Sequence, residues 1–433
     1  MKYQIPKGTF DILPYGADEP WKLSALWQYV EQIVRQTAID YGYREIRTPM
    51  YERSELFDRG VGETSDIVMK EMFTFEDKGG RLISLRPEGT SSVMRAFVEN
   101  NLAQLGPVHK FFYIAPMFRY ERPQSGRYRQ HHQFGVEALG VAGPAQDAEV
   151  IDLLCETYRR LGLQNLTVEL NSVGDLESRQ SFRDALQAFL RPYFNELSED
   201  SQSRFEKNPL RILDSKDPKD RDILKQAPSI LHSLSEKALE HFNELKRLLD
   251  SCRIPYRVND RIVRGLDYYN KTVFEVTANV LGAQNALGGG GRYDGLIATF
   301  GGPDLPGVGF GTGIERILQT MIAQSVPLPK EPAPLVYWLP LGDEARRTCF
   351  TLATECRHRK IFAEIDLQAK KIQTGLQNAT RLNAQICVIV GSEELAKGTA
   401  QIKHLESRRQ EEIPLDQLID YFVAINQKQA ERI

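Results

Sequence analysis

The chain has 433 residues, which is longer than one typical domain. Its composition, 41% hydrophobic and 26% charged residues, is ordinary for a soluble globular protein. It contains no run of 18 apolar residues and no signal peptide, so we expect a cytoplasmic protein that has no membrane partner. The net charge, 55 − 58 = −3, argues against bulk electrostatic binding of nucleic acid, so any RNA contact must use local basic patches.

The five cysteines and seven histidines show no pattern of a metal site or a disulfide framework. The cysteines form no CxxC pair, and the histidines have no zinc-like spacing. We therefore expect reduced thiols and no metal-binding residues.

The N-terminal part predicts a long helix that leads into an extended segment. Apolar residues recur at helical spacing from Leu23 to Tyr41, and Pro20 and Gly42 act as start and stop signals. The sequence YREIRTP at 43–49 follows and is expected to be extended.

A polar hairpin is predicted by FRYERPQSGRYR at 118–129 and HHQFGVE at 131–137, two strands joined by a turn with Pro and Gly. Because strand side chains alternate, Gln133, Gly135 and Glu137 share one face. The gap between an amide and a carboxylate suits the floor of a pocket. The alternative is an amphipathic hairpin whose polar face is solvated.

The loop of this hairpin favours the pocket. Alternation places Arg119 beside Glu121 on the outgoing strand. Beyond them, Arg122, Arg127 and Arg129 follow without an intervening acid, although the chain is not basic overall.

An inserted helical domain is expected at about 176–257. Glycine is absent from this stretch, and charged helix-forming residues dominate it. A solvated helical bundle that binds nothing is the alternative interpretation.

Three segments carry the strongest chemical signal. RGLDYYN at 264–270 and GGGGRYDGL at 288–296 combine a cation and phenols with a backbone that a ligand can approach closely, which suits a small polar substrate next to a phosphate. GVGFGTGIERIL at 307–318 predicts a strand that turns into a helix near Ile314. Arg316 then lies in the first helical turn, where it faces either solvent or an anion that the helix N-terminus also attracts.

A linker and a second small domain are expected at the C-terminal end. Four prolines exclude regular structure from 326–334, and a compact α/β domain is predicted at 335–433. Its apolar runs lie at 335–339, 361–365 and 386–390, and its helical stretches near 343–358 and 368–382.

Taken together, these segments resemble the class II aminoacyl-tRNA synthetases. FRYE with its arginine-rich loop is similar to motif 2, GFGTGIERI to motif 3, and the helix and extended segment at 20–49 to motif 1. RGLDYYN and GGGGRYDGL resemble two signatures of the histidyl-tRNA synthetase family. The match runs along essentially the whole chain, since PKGTFDILP at 6–14, LRPEGT at 85–90 and NPLRILDSK at 208–216 are also familiar in that family.

The resemblance implies an α/β fold with an α+β catalytic core. An antiparallel sheet flanked by helices is implied for a catalytic domain at 1–325, interrupted by the helical insertion, and an anticodon-binding domain is implied for 335–433. In the family, the motif 1 element forms a homodimer interface and the insertion contacts the acceptor arm of the tRNA. A motif 1 helix that packs only on its own sheet is the alternative.

The resemblance also implies a histidine–tRNA ligase that uses ATP as a substrate with Mg²⁺ and has no permanently bound cofactor. It assigns Arg119 and Arg264 to the α-phosphate, with Arg264 the principal catalytic residue, and Arg316 to the γ-phosphate side. Glu121 is expected near the adenine amino group. We expect the phosphates and water, rather than protein side chains, to hold most of the Mg²⁺ coordination.

The remaining roles concern L-histidine and tRNA(His). The family places Glu88 and Thr90 around the α-amino group and Gln133 near the amino-acid backbone. It places Glu137 and Tyr269 around the imidazole, for which Gly135 leaves room, with Tyr268 beside them. Arg122 and Gln124 match the positions that contact the acceptor end of the tRNA.

Two other function classes are compatible with parts of this pattern. A catalytically inactive paralogue could bind histidine as a regulatory subunit of histidine biosynthesis, but such paralogues usually lack the C-terminal domain and some of the arginines. A sensor of uncharged tRNA would carry a kinase sequence, which this chain does not contain. Histidine-dependent ATP–pyrophosphate exchange separates the enzyme from both.

Overall fold

The structure is a computed structural model that describes residues 3–62, 65–122, 126–206, 208–215, 217–262, 266–278, 286–329, 331–368 and 371–430. The chain divides into two compact units, Met1–Pro329 and Lys330–Ile433. Among the described residues, no helix is long and apolar enough to cross a membrane.

The first unit contains strands β1 to β11 and helices α1 to α10. The strands are β1 (Arg44–Glu45), β2 (Tyr51–Arg53), β3 (Thr74–Glu76), β4 (Leu82–Leu85), β5 (His109–Phe118), β6 (Gln130–Leu139), β7 (Leu166–Ser172), β8 (Tyr256–Val258), β9 (Asn270–Ala278), β10 (Ala286–Arg292) and β11 (Gly307–Gly313). The helices are α1 (Ser24–Asp40), α2 (Ser54–Val61), α3 (Thr90–Glu99), α4 (Pro144–Arg160), α5 (Leu176–Leu190), α6 (Glu199–Arg204), α7 (Pro218–Leu224), α8 (Glu236–Ser251), α9 (Leu296–Thr299) and α10 (Ile314–Ala323).

Eight strands form one large sheet in the order β1-β5-β6-β11-β10-β9-β7-β8. The inner neighbours pair antiparallel, whereas the two edge strands, β1 and β8, pair parallel with theirs. This order places β6 beside β11, and β11 beside β10, although β6 is far from the other two strands in the sequence. A smaller sheet has the order β2-β4-β3. The predicted antiparallel sheet flanked by helices is confirmed.

The predicted hairpin is β5 and β6, but its first strand ends earlier than the alternation suggests. β5 stops at Phe118, so Arg119 and Glu121 lie in the β5–β6 loop, yet their charged groups are still 3.9 Å apart. On β6, Phe134 and Val136 are fully buried in the main core. Glu137, on the opposite face, is 1% exposed, which excludes a solvated polar face at that position.

The long N-terminal helix is confirmed as α1, and it packs against the large sheet. Trp27, Val30 and Val34 are buried in the core that also contains Phe134 of β6. The extended segment after it forms only the short strand β1.

Helices α5 to α8, residues 176–251, are called the helical insertion below. They are joined by 3₁₀ turns, and β8 then returns the chain to the large sheet. The insertion packs on the unit at two places, because α8 contributes Phe242 and Leu245 to the main core, whereas α5 contributes Phe182 and Leu186 to a second core.

The second unit is an α/β domain whose five-stranded sheet has the order β13-β12-β14-β15-β16. Its first three strands are parallel, and its last two are antiparallel. The predicted strands and helices β12 to β14, α11 and α12 are confirmed, whereas α13, the hairpin β15–β16 and α14 were not predicted. The elements are β12 (Val336–Pro340), α11 (Asp343–His358), β13 (Ala363–Ile365), α12 (Ile372–Arg381), β14 (Ile386–Val390), α13 (Ser392–Lys397), β15 (Thr399–His404), β16 (Gln410–Pro414) and α14 (Leu418–Ala430).

Candidate active site

A cavity of about 300 Å³ lies on the central strands of the large sheet. Its walls come from β6, β10, β11, the first turn of α10 and the β5–β6 loop. The polar side chains that line it include Arg119, Glu121, Arg127, Gln133 and Arg316. Four of the residues that the sequence analysis assigned to ATP or histidine are therefore brought to one cavity.

Positive charge dominates this cavity. Three guanidinium groups and two carboxylates line it, of which Glu121 is paired with Arg127 at 3.0 Å and Glu315 accepts hydrogen bonds from His132. Burial lowers the pKa of Arg316, and the positive charge of Arg127 lowers it further. An anion in the cavity would relieve this repulsion, so the arrangement suits a phosphate ligand.

Two of the arginines that line the cavity, Arg119 and Arg316, are anchored by backbone oxygens. Arg119 Nε donates to the carbonyl oxygen of Pro87 at 2.9 Å. Arg316 Nε donates to the carbonyl oxygen of Gly126 at 3.2 Å, and Nη1 donates to that of Ala286. Because Arg316 lies in the first turn of α10, its charge and the helix N-terminus would act on the same anionic ligand.

Histidine 131 lies in the same cavity but adds no charge. Burial and the adjacent positive charge of Arg119 lower the pKa of His131 to about 3, so its imidazole is neutral at physiological pH. Next to it, His132 is hydrogen bonded through its backbone N–H and Nδ1 to the buried carboxylate of Glu315, at 2.8 and 2.9 Å. This contact joins the start of β6 to the first turn of α10.

Gln133 presents an amide to the cavity, and a glycine on the neighbouring strand makes room for it. A Cβ on Gly311 would lie 1.8 Å from Gln133 Nε2. Gln133 Oε1 is buried and has no hydrogen-bond partner among the residues that the structure describes. A buried acceptor without a partner is costly, so this oxygen is suited to a donor of the ligand.

Glu137 lies four residues farther along the same face of β6, about 13 Å away at the usual rise of a strand. Three hydroxyl groups donate to its carboxylate. Thr90 Oγ1 donates at 2.8 Å, Tyr113 Oη at 3.4 Å, and Tyr293 donates to the second oxygen. Burial raises the pKa of Glu137 to about 8 although these hydrogen bonds oppose the rise. The group is suited to recognising the N–H of a small polar ligand shielded from water.

The gap at Gly135 is filled by Tyr113 rather than left open for a ligand. Tyr113 stands opposite Gly135 in the β5–β6 register. A Cβ on Gly135 or on Gly89 would lie 2.3 Å from the Tyr113 ring. The Tyr113 ring therefore occupies the space that a side chain at Gly89 or Gly135 would need, and its hydroxyl donates to Glu137.

Glu88 and Thr90 support the same carboxylate from the start of α3. Glu88 is 3% exposed, and its two oxygens accept the backbone N–H groups of Thr90 and Ser91 at 2.6 and 2.9 Å. This capping fixes Thr90, whose hydroxyl donates to Glu137.

The tyrosines form an aromatic group beside Glu137. The rings of Tyr268 and Tyr269 are 4.6 Å apart, and the ring of Tyr268 meets that of Tyr293 edge-on at 5.7 Å. Tyr293 is preceded by Arg292, which is fully buried and pairs with the equally buried Asp147.

The predicted site residues therefore fall into two groups and a remainder. The first group lines the cavity and consists of Arg119, Glu121, Gln133 and Arg316. The second group is Glu137 and the residues around its carboxylate, namely Glu88, Thr90, Tyr268 and Tyr269. Arg122 is exposed and is not among the side chains that line the cavity. Arg264 and Gln124 lie outside the described residues.

Sequence reasoning missed Tyr113, Tyr293 and His131. Tyr293 is the second residue after the glycine run, and His131 lies two residues before Gln133 on β6, so both were within segments already selected. Tyr113 could have been suspected because an aromatic residue across from a strand glycine commonly covers it.

The chain matches known proteins along nearly its whole length. The family described as "Histidyl-tRNA synthetase" matches residues 20–317, and the "Anticodon binding domain" matches residues 335–425. The histidine–tRNA ligase of Protochlamydia amoebophila is 57% identical over 418 residues, which cover 96% of this chain and 99% of that protein. The histidine–tRNA ligase of Bacillus velezensis is 47% identical, with 99% and 100% covered.

A solved structure agrees with these matches. The crystal structure of apo histidyl-tRNA synthetase from S. aureus has a TM-score of 0.83 and 36% identity, and the match covers 98% of this chain and 100% of that chain. The chain described here therefore belongs to the histidyl-tRNA synthetase family.

Proposed function

We propose that this protein is an ATP-dependent histidine–tRNA ligase that activates L-histidine as histidyl-adenylate and transfers the histidine to the 3′ end of tRNA(His). The observation that carries this proposal is the cationic cavity on the same face of β6 as the Glu137 carboxylate, in a chain of this family. An anionic nucleotide and a small polar amino acid would thus bind side by side.

Activation joins the histidine carboxylate to the α-phosphate of ATP and expels pyrophosphate. Negative charge then develops at phosphorus between two anions, and fixed cations stabilise it best. We assign Arg119 and Arg264 to the α-phosphate, with Arg264 the principal catalytic residue, Arg316 to the γ-phosphate side and Glu121 to the adenine amino group. The shared cavity supports the three assignments that concern described residues.

We assign the imidazole of histidine to Glu137, Tyr268 and Tyr269. A carboxyl group accepts from one ring N–H while a phenol covers the other nitrogen, and such a pocket rejects apolar isosteres because its own buried groups would lose their partners. Gln133, Glu88 and Thr90 are assigned to the α-amino and backbone groups. Glu88 already accepts two backbone N–H groups, but a carboxylate has about four acceptor positions and can also accept an ammonium.

We propose that Mg²⁺ enters with ATP rather than in a protein cage. Within the described part of the chain, no three His, Cys, Asp or Glu side chains come together as a metal site would require. Of the two carboxylates that line the cavity, Glu121 pairs with Arg127 and Glu315 accepts from His132, so we expect the phosphates and water to supply most of the ligands.

We assign tRNA binding to both units and dimerisation to the first. Residues 335–433 form the proposed anticodon-binding domain, joined through 326–334 to a catalytic domain at 1–325. The insertion, predicted at about 176–257, is proposed to contact the acceptor arm, as are Arg122 and Gln124. We further propose a homodimer formed through the α1 and β1 region and a cytoplasmic location.

Histidine-dependent exchange of pyrophosphate into ATP tests the proposal, followed by charging of tRNA(His). We expect exchange with histidine and none with other amino acids. The rival, a histidine-binding regulatory subunit, would bind histidine without exchange, so binding without exchange would overturn the proposed activity. The C-terminal unit and the arginines at 119 and 316 favour the enzyme.

A further inference from the structure

One familiar segment, NPLRILDSK at 208–216, takes no part in the chemistry proposed above. Two of its side chains reach the tyrosine segment, residues 266–269 (LDYY). Asn208 Nδ2 donates to Asp267 Oδ1 at 3.1 Å, and Arg211 donates to the same oxygen through Nε at 3.2 Å and Nη2 at 3.0 Å. Three N–H groups of the helical insertion therefore converge on one carboxylate oxygen.

Asp267 is also confined from the side of α2. Its backbone N–H donates to the carbonyl oxygen of Val61 at 3.2 Å. A Cβ on Gly62 would lie 2.5 Å from Asp267 Oδ2, so only a residue without a side chain lets the carboxylate occupy this place. The insertion and the end of α2 hold Asp267 between them.

A third contact reaches the same segment from α5. Arg179 Nη1 donates to the carbonyl oxygen of Tyr269 at 3.4 Å. The insertion thus holds the tyrosine segment at two points, the side chain of Asp267 and the backbone of Tyr269. The Tyr268 ring, which lies between these points, meets Tyr293, and Tyr293 donates to Glu137.

These contacts reach the segment that carries the tyrosines proposed to bind the imidazole. Another ion pair, between Arg204 Nη2 and Asp66 at 3.1 Å, also joins the insertion to the rest of the unit, but it does not touch the tyrosine segment. If both ion pairs only attached the insertion to the rest of the unit, the loss of either pair should have the same effect on activity. They differ because Arg211 contacts Asp267, which directly precedes the tyrosines proposed to bind the imidazole.

We propose that Asn208, Arg211 and Arg179 of the helical insertion are positioning residues, which set Tyr268 and Tyr269 against the histidine through Asp267 and the Tyr269 backbone. The inference rests on the proposed function and deepens it. Histidine recognition is then shared between the sheet, which carries Glu137, and the insertion, which sets the facing tyrosines.

The test compares Arg211→Gln with the matched control Arg204→Gln in histidine-dependent pyrophosphate exchange. A displaced binding group can cost up to about a hundredfold, so we expect R211Q to raise the KM for histidine roughly ten- to a hundredfold. The KM for ATP should stay unchanged, because the arginines that line the cavity, Arg119, Arg127 and Arg316, belong to neither the tyrosine segment nor the insertion. R204Q should match the wild type in both constants, and melting temperatures should show both variants folded.

Two conservative variants keep the test decisive if R211Q does not fold. Arg211→Lys retains a donor and Asp267→Asn retains an acceptor oxygen, so each should fold, raise the KM for histidine above that of R204Q and leave the KM for ATP unchanged. A purely structural role would instead raise both KM values together with a loss of melting temperature. That outcome, or a histidine KM equal to that of R204Q, would overturn the inference. A wild-type protein without exchange would reject the proposed function itself.

Discussion

At the scale of single residues, Glu137 has the most unusual environment in the site. Removal from water disfavours its charged form, whereas hydroxyl groups of Thr90, Tyr113 and Tyr293 favour it, and burial prevails. With a pKa of about 8, the group is largely protonated at neutral pH before a ligand arrives. A ligand that brings its own positive charge or N–H donors would shift the balance towards the carboxylate.

Glu137→Gln is expected to weaken histidine far more than ATP. The change keeps the volume but removes the group that can become charged, and hydrogen bonds to charged groups contribute about 1.5–3 kcal/mol, or roughly ten- to a hundredfold in affinity. Separate titrations with histidine and with a non-hydrolysable ATP analogue measure this. Equal losses of affinity for both ligands would mean that Glu137 maintains the fold rather than binds the substrate.

The same variant tests the raised pKa. Between the ordinary value of 4.5 and about 8, the folded protein holds a proton that the unfolded chain has released, so the free energy of unfolding falls as the pH rises through this window. E137Q cannot ionise and lacks this contribution. Urea unfolding of both proteins without histidine, at each end of the window, should show the wild type losing stability relative to E137Q towards higher pH. A constant difference would contradict the shift.

Arg264→Ala is expected to slow adenylate formation by about 10²–10³ while histidine affinity stays nearly intact. The reason is that this cation is proposed to act on charge that develops only in the transition state. Pre-steady-state adenylate formation is the measurement, with equilibrium histidine binding as its control. A rate close to that of the wild type would remove Arg264 from the catalytic assignment.

At the scale of elements, the site depends on how closely β6 and β11 approach each other. Gly309 lies opposite Glu137 in the register, and Gly311 opposite Gly135. Side chains at the β11 positions would occupy the space that Gln133 and Glu137 use. The glycine spacing of β11 is therefore required by the neighbouring strand rather than by β11 itself.

Gly309→Ala is expected to lower both stability and histidine affinity. The new Cβ would lie 2.3 Å from the carbonyl oxygen of Val136 and 2.4 Å from Glu137 Oε2, so the strands must move, which typically costs about 1–3 kcal/mol. Gly143→Ala is the matched control, since no atom of the residues that the structure describes lies within 4 Å of its Cβ position. Thermal melting and histidine titration compare the two, and equal behaviour would contradict this account.

A second link between elements is the buried pair of Asp147 on α4 and Arg292 at the end of β10. Both side chains are fully buried, and Arg292 also donates to Asp294 and to the carbonyl oxygens of Val141 and Gly143. Because Arg292 precedes Tyr293, this pair holds the backbone from which Tyr293 reaches Glu137.

Asp147→Asn is expected to destabilise the protein by about 3 kcal/mol or more, because it leaves a buried guanidinium without its main counter-charge. Burial alone would raise the pKa of Asp147, but hydrogen bonding from His241 and the charge of Arg292 hold it below its ordinary value of 3.8. Its stabilisation is therefore complete at neutral pH and is lost only as the pH falls below that value. Chemical unfolding measures the loss, and the exposed Asp222→Asn, whose partner Lys225 is also exposed, should show none. Equal stability of the two variants would contradict the role of the pair.

At the scale of the whole molecule, the chain consists of two units with separate hydrophobic cores. The core of the second unit is built around Trp338, Val388 and Phe422. The division falls after Pro329, within the segment predicted as a linker. Val326 still belongs to the first unit, because its N–H donates to the carbonyl oxygen of Met321 at 2.9 Å and its side chain packs on the main core.

Truncation after Pro329 is expected to leave a folded protein that makes histidyl-adenylate but charges tRNA poorly. The proposed active-site residues all precede the cut, and a unit with its own core can usually be removed at such a boundary. Two contacts on one RNA raise affinity well beyond either alone, so the loss should appear as a higher tRNA concentration requirement. Acceptor-stem minihelices, which have no anticodon, should be affected much less.

Sedimentation of the truncated protein is the control, since a changed oligomeric state would itself alter activity. If the truncated protein keeps the oligomeric state of the intact one and charges full-length tRNA equally well, the anticodon-binding role of 335–433 is wrong.

The sequence by itself determined those features that depend on local periodicity and on residue type. Helical spacing predicted α1, alternation predicted the faces of β6, glycine spacing predicted the turn from β11 into α10, and the repeated pattern predicted most of the second unit. These predictions succeeded because burial on one side of a helix or strand imposes its period on the sequence. Together they also indicated the family.

Only the tertiary structure decided which distant residues meet at the site. Tyr113 fills the gap at Gly135, Tyr293 donates to Glu137, and Arg211 reaches Asp267 from the insertion. Periodicity shows that a face is covered but not by what, because the covering residue is set by strand order and register over long separations in the chain. The protonation of Glu137 follows from the same cause, since its pKa depends on how completely those neighbours exclude water.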